Sequence, residues 1–140
     1  MSIDRLMQRP VVTLPPEATC AEAAAAMRDE NIGAVVIADS GRPLGMVTDR
    51  DLVVRVIADG MEAEKTQLRD VMSGEPIFLG GERSIEQAIA AMRNLAIRRV
   101  PVVDEDGQLC GLVSMDDLLI LLADQLGDLA QVVRQEIGND

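Results

Sequence analysis

The sequence predicts an α/β (α+β) fold built from two copies of one strand-and-helix unit. The first observation behind this is an internal repeat. "DRLM" ending at Met7 aligns with "RDVM" ending at Met72, and "AEAAAAM" at 21–27 with "EQAIAAM" at 86–92. Further on, "IGAVVIAD" at 32–39 aligns with "IRRVPVVD" at 97–104, and "GMVTDRDL" at 45–52 with "GLVSMDDL" at 111–118, the offset staying at 65 or 66 residues. The second observation is that apolar residues at helical spacing alternate with β-branched runs. The third is size: 140 residues at 48% hydrophobic suffice for one compact domain, or for two small halves sharing a core.

Taken in chain order, each copy opens with a short strand, "VVT" within "PVVTL" at 10–14 and "IFL" within "PIFLG" at 76–80. A helix follows. In the second copy Ile85, Ile89, Met92 and Ala96 recur at helical spacing behind Ser84, a candidate N-cap. In the first copy the same face is Ala23, Ala26 and Met27, whose small side chains let the helix sit closer to its sheet. The β-branched runs "AVVIA" and "VPVV" read as buried strands. They lead through "DSG" and "DEDG" turns into "LGMV" and "LCGLV", and then into the helices "LVVRVIA" and "LLILLA". These boundaries place the repeats at about 1–60 and 66–124, together 1–124, followed by a helical tail at 125–140. In the tail Leu126, Leu129 and Val133 continue a seam from Leu118 and Leu122.

Composition narrows the function classes. There is no His, the commonest general base and metal ligand, so no nucleophile and base pair can be assembled and no metal site is expected. With Phe78 as the single aromatic residue, binding walls must be aliphatic or backbone. A net charge of −11 repels nucleic acid and anionic membrane surfaces. Cys20 and Cys110 lack CxxC spacing and read as buried thiols of a reducing cytosol. "DEDG" at 104–107 opens like a calcium loop but lacks the downstream ligands, and reads as a hairpin turn. The N-terminal "MSIDRLMQRP" carries no apolar run of a signal peptide, and "LLILLA" is too short to span a bilayer, so a cytoplasmic protein is expected.

The recurring stretch with Thr48 and Asp51, matched by Ser114 and Asp117, has two compatible readings. [ST]-x-x-[DE] before a helix is a capping box. A hydroxyl at a helix N-terminus with a carboxylate one turn later also suits a ribosyl phosphate, the hydroxyl meeting phosphate and the acid accepting from the sugar hydroxyls. Gly45 and Gly111 inside strands favour something approaching the backbone closely.

G-h-x-[TS]-x-x-[DN] after an apolar strand, twice in register in tandem units of roughly 60 residues, resembles the CBS domain pair, or Bateman module. The resemblance runs from about Ile3 to Ala123. It implies two β-α-β-β-α repeats about a pseudo-twofold axis, with two clefts that take adenosine ligands and signal to a partner. The first cleft would combine Thr48, Arg50 and Asp51 with Ile77 and Phe78, and with Arg98, Arg99 and Val100. The second would combine Ser114 and Asp117 with Val12, Thr13, Ala34 and Val35. Met46 and Leu112 would be apolar walls against the base. Arg98 and Arg99 stand where the first repeat has Gly33 and Ala34, and Arg50 is matched by Asp116, so the positive pocket is expected in the first cleft alone. The ligand would be AMP, ADP or ATP, with S-adenosylmethionine or NAD as further candidates, and no cofactor is required. A homodimer and a regulated protein in trans are the implied partners. The alternative is a ligand-independent dimerisation or scaffold module, whose motifs serve only as helix caps.

Overall fold

The computed structural model describes residues 1–72 and 77–138, so Pro76 of the second lead-in strand lies outside the described residues. In the first repeat β1 (Thr13–Leu14) runs parallel to β2 (Ala34–Asp39), which pairs antiparallel with β3 (Arg42–Thr48). In the second, β4 (Leu79–Gly80), β5 (Arg99–Val103) and β6 (Leu109–Ser114) form the same sheet in the same order. The crossovers between the parallel strands are α1 (Cys20–Glu30) and α3 (Ile85–Leu95). After β3, α2 (Asp49–Asp51) passes into a π-helical turn over Leu52–Ile57. After β6, α4 (Met115–Gly138) runs without a break through the segment expected as a tail.

Local chemistry fixes where these elements start and stop. Ser84 caps α3 as expected, in a full capping box with Gln87, and Thr19 with Glu22 does the same for α1. Both helices end on a left-handed residue, Asn31 and Ala96, each at φ 54. Ala96 is therefore a helix cap and not the core position its spacing suggested. Ile89 also leaves the expected core face: it is 41% exposed, and α3 buries Ala88 and Met92 instead. Ala88 occupies the repeat position of Ala23, and both are fully buried, so each crossover helix rests on its sheet through an alanine that permits close approach.

The β2–β3 hairpin turns on Ser40 and Gly41, both with positive φ, as a two-residue turn matching strand twist requires. Between β5 and β6, Asp104 Oδ1 accepts from the amides of Asp106 at 2.9 Å and Gln108 at 3.0 Å, so the acid serves the turn itself. Of the two thiols, Cys20 is buried and Cys110 only half-buried. Burial raises both thiols above their ordinary pKa, with nearby carboxylates adding to it, which disfavours the reactive thiolate.

The two repeats exchange the segments that lead into them. Ile3, ahead of the first repeat, is wholly buried in the core of the second with Ala88, Met92, Val100 and Val113. Leu68, ahead of the second, is wholly buried in the core of the first with Ala23, Met27, Val35 and Val47. The backbone repeats the exchange contact by contact. Ile3 donates its amide to Arg83 at 2.9 Å, and Leu68 its amide to Ala18 at 2.8 Å. Ile85 donates to Met1 at 3.3 Å, and Cys20 to Thr66 at 2.9 Å. A lone bridge between Ser2 and Ser84 mirrors one between Thr19 and Gln67.

Cutting either anchor leaves a cavity in the opposite repeat. Ile3→Ala and Leu68→Ala should each lower the unfolding free energy by about 2–5 kcal/mol, measured by urea denaturation. An effect of Ile3→Ala on the N-terminal segment alone, with the second repeat as protected from hydrogen exchange as before, would contradict the exchange.

Candidate functional site

Strands β3 and β6 each end on a hydroxyl that caps the next helix, and both boxes are complete. Thr48 Oγ1 accepts from the Asp51 amide at 3.2 Å, and Asp51 Oδ2 accepts from the Thr48 amide at 2.9 Å. Ser114 Oγ accepts from the Asp117 amide and Asp117 Oδ2 from the Ser114 amide, both at 3.1 Å. The box uses each hydroxyl as an acceptor and one carboxylate oxygen. It leaves the hydroxyl hydrogen free to donate and the second carboxylate oxygen free to accept. Capping and ligand binding are thus compatible in the same residues.

Each box opens onto a cleft between the repeats. The first, about 640 Å³, brings together Thr48, Arg50 and Asp51 with Ile77, Arg98 and Arg99, and Met46 forms part of its wall. Val100 does not reach it, because the side chain is wholly buried in the second core. Phe78 is 44% exposed and is not on the wall. Among the residues that sequence reasoning missed, Pro43, Asp49, Arg55, Ala96, Ile97 and Pro101 also line this cleft.

The second cleft, about 280 Å³, brings together Val12, Ala34, Leu112, Ser114 and Asp117. Val35 is wholly buried in the first core, and Thr13 lines a neighbouring hollow instead. Gln8, also missed, is held by backbone hydrogen bonds with Leu112, and its side-chain amide donates to both Asp117 oxygens at 3.2 and 3.1 Å. No local signal marks this pair, which is 109 residues apart. Asp51 differs: its Oδ1 faces only Arg55 Nε, at 3.9 Å, and stays open to a ligand donor.

Many wall positions correspond across the repeat, among them Met46 with Leu112, Thr48 with Ser114 and Ile77 with Val12, but the charges do not. The first cleft is lined by four arginines (50, 55, 98, 99) and two aspartates (49, 51), the second by Arg99 with Asp116 and Asp117. Arg99 lines both, which corrects the expectation that the basic cluster serves the first cleft alone. Arg98 lies 3.8 Å from Asp116 in an exposed pair, an arrangement worth little in water. The glycine reading is corrected at Gly111 only, for Gly45 lines the first cleft. A side chain at Gly111 would run into Met7 of the exchanged N-terminal segment, so Gly111 makes room for the protein's own packing and not for a ligand.

With this geometry in view, comparison with known proteins decides the family. The CBS domain model matches residues 3–58 and again 68–124. The chain belongs to the CBS-domain family. A CBS domain-containing protein of Bacillus subtilis, YhcV, is 36% identical over 119 residues, covering 85% of this chain and 84% of its own length. An uncharacterized protein of Methanopyrus kandleri is 37% identical over 120 residues, and there the matched CBS pair spans 61% of the relative's length. Among solved structures, a CBS domain protein from Pyrobaculum aerophilum complexed with AMP is 29% identical, with a TM-score of 0.79 over 88% of this chain and 97% of that one. Among the described residues no group of His, Cys, Asp and Glu could hold a metal ion, and no helix is long and apolar enough to cross a membrane.

The caps of this CBS pair stabilise it independently of any ligand. Thr48→Ala and Ser114→Ala should each destabilise the protein by about 1 kcal/mol in ligand-free urea unfolding, whereas Thr48→Ser should be close to neutral. Unchanged stability in both alanine variants would contradict the capping role.

Proposed function

We propose that this CBS pair is a non-enzymatic regulatory module that binds an adenosine nucleotide of the AMP, ADP or ATP type in its first cleft and passes the occupancy to a partner in trans. The observation that carries this reading is the set Arg50, Arg98 and Arg99 on one cleft wall in a chain of net charge −11. Without local cations the long-range field opposes any phosphate. Arg50 and Arg99 enter no ion pair among the described residues, so their guanidinium groups are available to phosphate oxygens. In this reading Asp51 Oδ1 accepts from the ribose hydroxyls, the Thr48 hydroxyl donates to phosphate, and Met46 with Ile77 packs on the base. The AMP complex of the Pyrobaculum relative supports the ligand class. The second cleft is the weaker site, being smaller, net acidic and with Asp117 already engaged by Gln8.

A second reading, dimerisation or scaffolding without ligand, is favoured by a separate observation. The helices after both boxes carry apolar side chains in solvent: Val53, Val54 and Ile57 after the first, Leu119, Leu122 and Leu126 after the second. Such a surface fits a homodimer or a regulated partner. The two readings part in a thermal-shift series with AMP, ADP, ATP, NAD and S-adenosylmethionine. The nucleotide reading expects AMP, ADP or ATP to add about 2.7 kcal/mol of stability at a hundredfold excess over its dissociation constant. No shift with any of them at millimolar concentration, together with a dimer mass in light scattering, would leave the scaffold reading in its place.

A further inference from the structure

Arg99 belongs to both clefts. In the sheet its backbone pairs opposite Ser114, the hydroxyl of the second cleft. Its guanidinium Nη2 lies over Gly33, 3.1 Å from where a β-carbon on that residue would stand, and Asp49 Oδ2 lies 3.2 Å from the same point. Gly33 lines the second cleft and Asp49 the first, so the guanidinium sits on the partition between them. The backbone fixes this partition, since the Asp49 amide donates to the Gly33 carbonyl at 3.0 Å. A side chain at position 33 would crowd the guanidinium and make it give by a few tenths of an ångström.

We infer that Arg99 is a single anion ligand shared by two sites, so that phosphate bound in one cleft weakens phosphate binding in the other. This deepens the nucleotide reading and rests on it. With Arg99 counted, the charged wall of the first cleft sums to +2 and that of the second to −1. When Arg99 turns to a phosphate in the first cleft, the second keeps only Asp116 and Asp117 and sums to −2. The first cleft loses less by the converse move, because Arg50, Arg55 and Arg98 remain. Occupancy is therefore ordered, first cleft before second. By linkage the coupling is reciprocal in the binding constants. One charge-assisted hydrogen bond gained or lost corresponds to at least about tenfold in affinity.

The test is calorimetric titration of AMP into the full chain as wild type, Asp51→Ala, and Asp51→Ala with Arg99→Ala. Arg50→Ala with Arg98→Ala, which disables the first cleft and leaves its capping box intact, runs beside Asp51→Ala in case that variant folds poorly. With the first cleft disabled, the second-cleft event should tighten at least about tenfold relative to the second event of the wild type. Adding Arg99→Ala should abolish that gain. Two wild-type events with the second unchanged by Asp51→Ala, or a gain that survives Arg99→Ala, would overturn the coupling while leaving nucleotide binding intact. No AMP binding in any variant would overturn the coupling and the nucleotide reading together.

Discussion

Ile3 in the core of the second repeat and Leu68 in the core of the first are the contacts on which the remaining architecture depends. Each repeat alone has a three-stranded sheet with a two-residue first strand, too little to close a core around α1 or α3. The missing piece of each comes from the segment leading into the other. The halves therefore cannot separate without opening both cores. Two clefts that draw their walls from both repeats gain a fixed geometry from the same exchange, with β3 of one repeat facing the αL-capped end of the crossover helix of the other.

On that symmetric frame the side chains break the symmetry. Thr48 and Ser114 do the same work as helix caps, and their partners Asp51 and Asp117 offer the same carboxylate. Arg50 against Asp116 and Arg98 against Gly33 make one cleft cationic and the other acidic, while Arg99 lines both. Gln8 adds to the difference by occupying Asp117. One backbone thus supports two clefts of unlike charge, with Arg99 on the wall of both.

Much of this was legible in the sequence because it is local. The capping boxes, the hairpin at Ser40 and Gly41 and the buried β-branched strands follow from residues within a few positions of each other. The repeat placed Thr48, Asp51, Arg98 and Arg99 together because the CBS resemblance supplied the cross-repeat pairing. What was not legible depends on the third dimension. The period shows that Met7 and Met72 are equivalent, but not which core each lead-in segment joins, since either arrangement buries the same apolar residues. Gly111 was read as room for a ligand because nothing near it in sequence announces Met7. On α3 the larger Ile89 drew the helical stripe one position away from the small Ala88 that touches the sheet. Val35 and Val100 fell on the wrong side of their strands for a side-chain contact, being wholly buried.

In the proposed nucleotide reading, a few local arginines overcome a net charge of −11 to hold a phosphate in the first cleft. Calorimetry at two salt concentrations separates the phosphate's share by comparing AMP with adenosine, which has the same base and ribose but lacks the phosphate. AMP should bind at least about tenfold more tightly than adenosine, with the advantage shrinking as salt screens the guanidinium contacts. Equal affinities for the two, or an AMP advantage that salt leaves untouched and that survives removal of Arg50, Arg98 and Arg99, would contradict that reading.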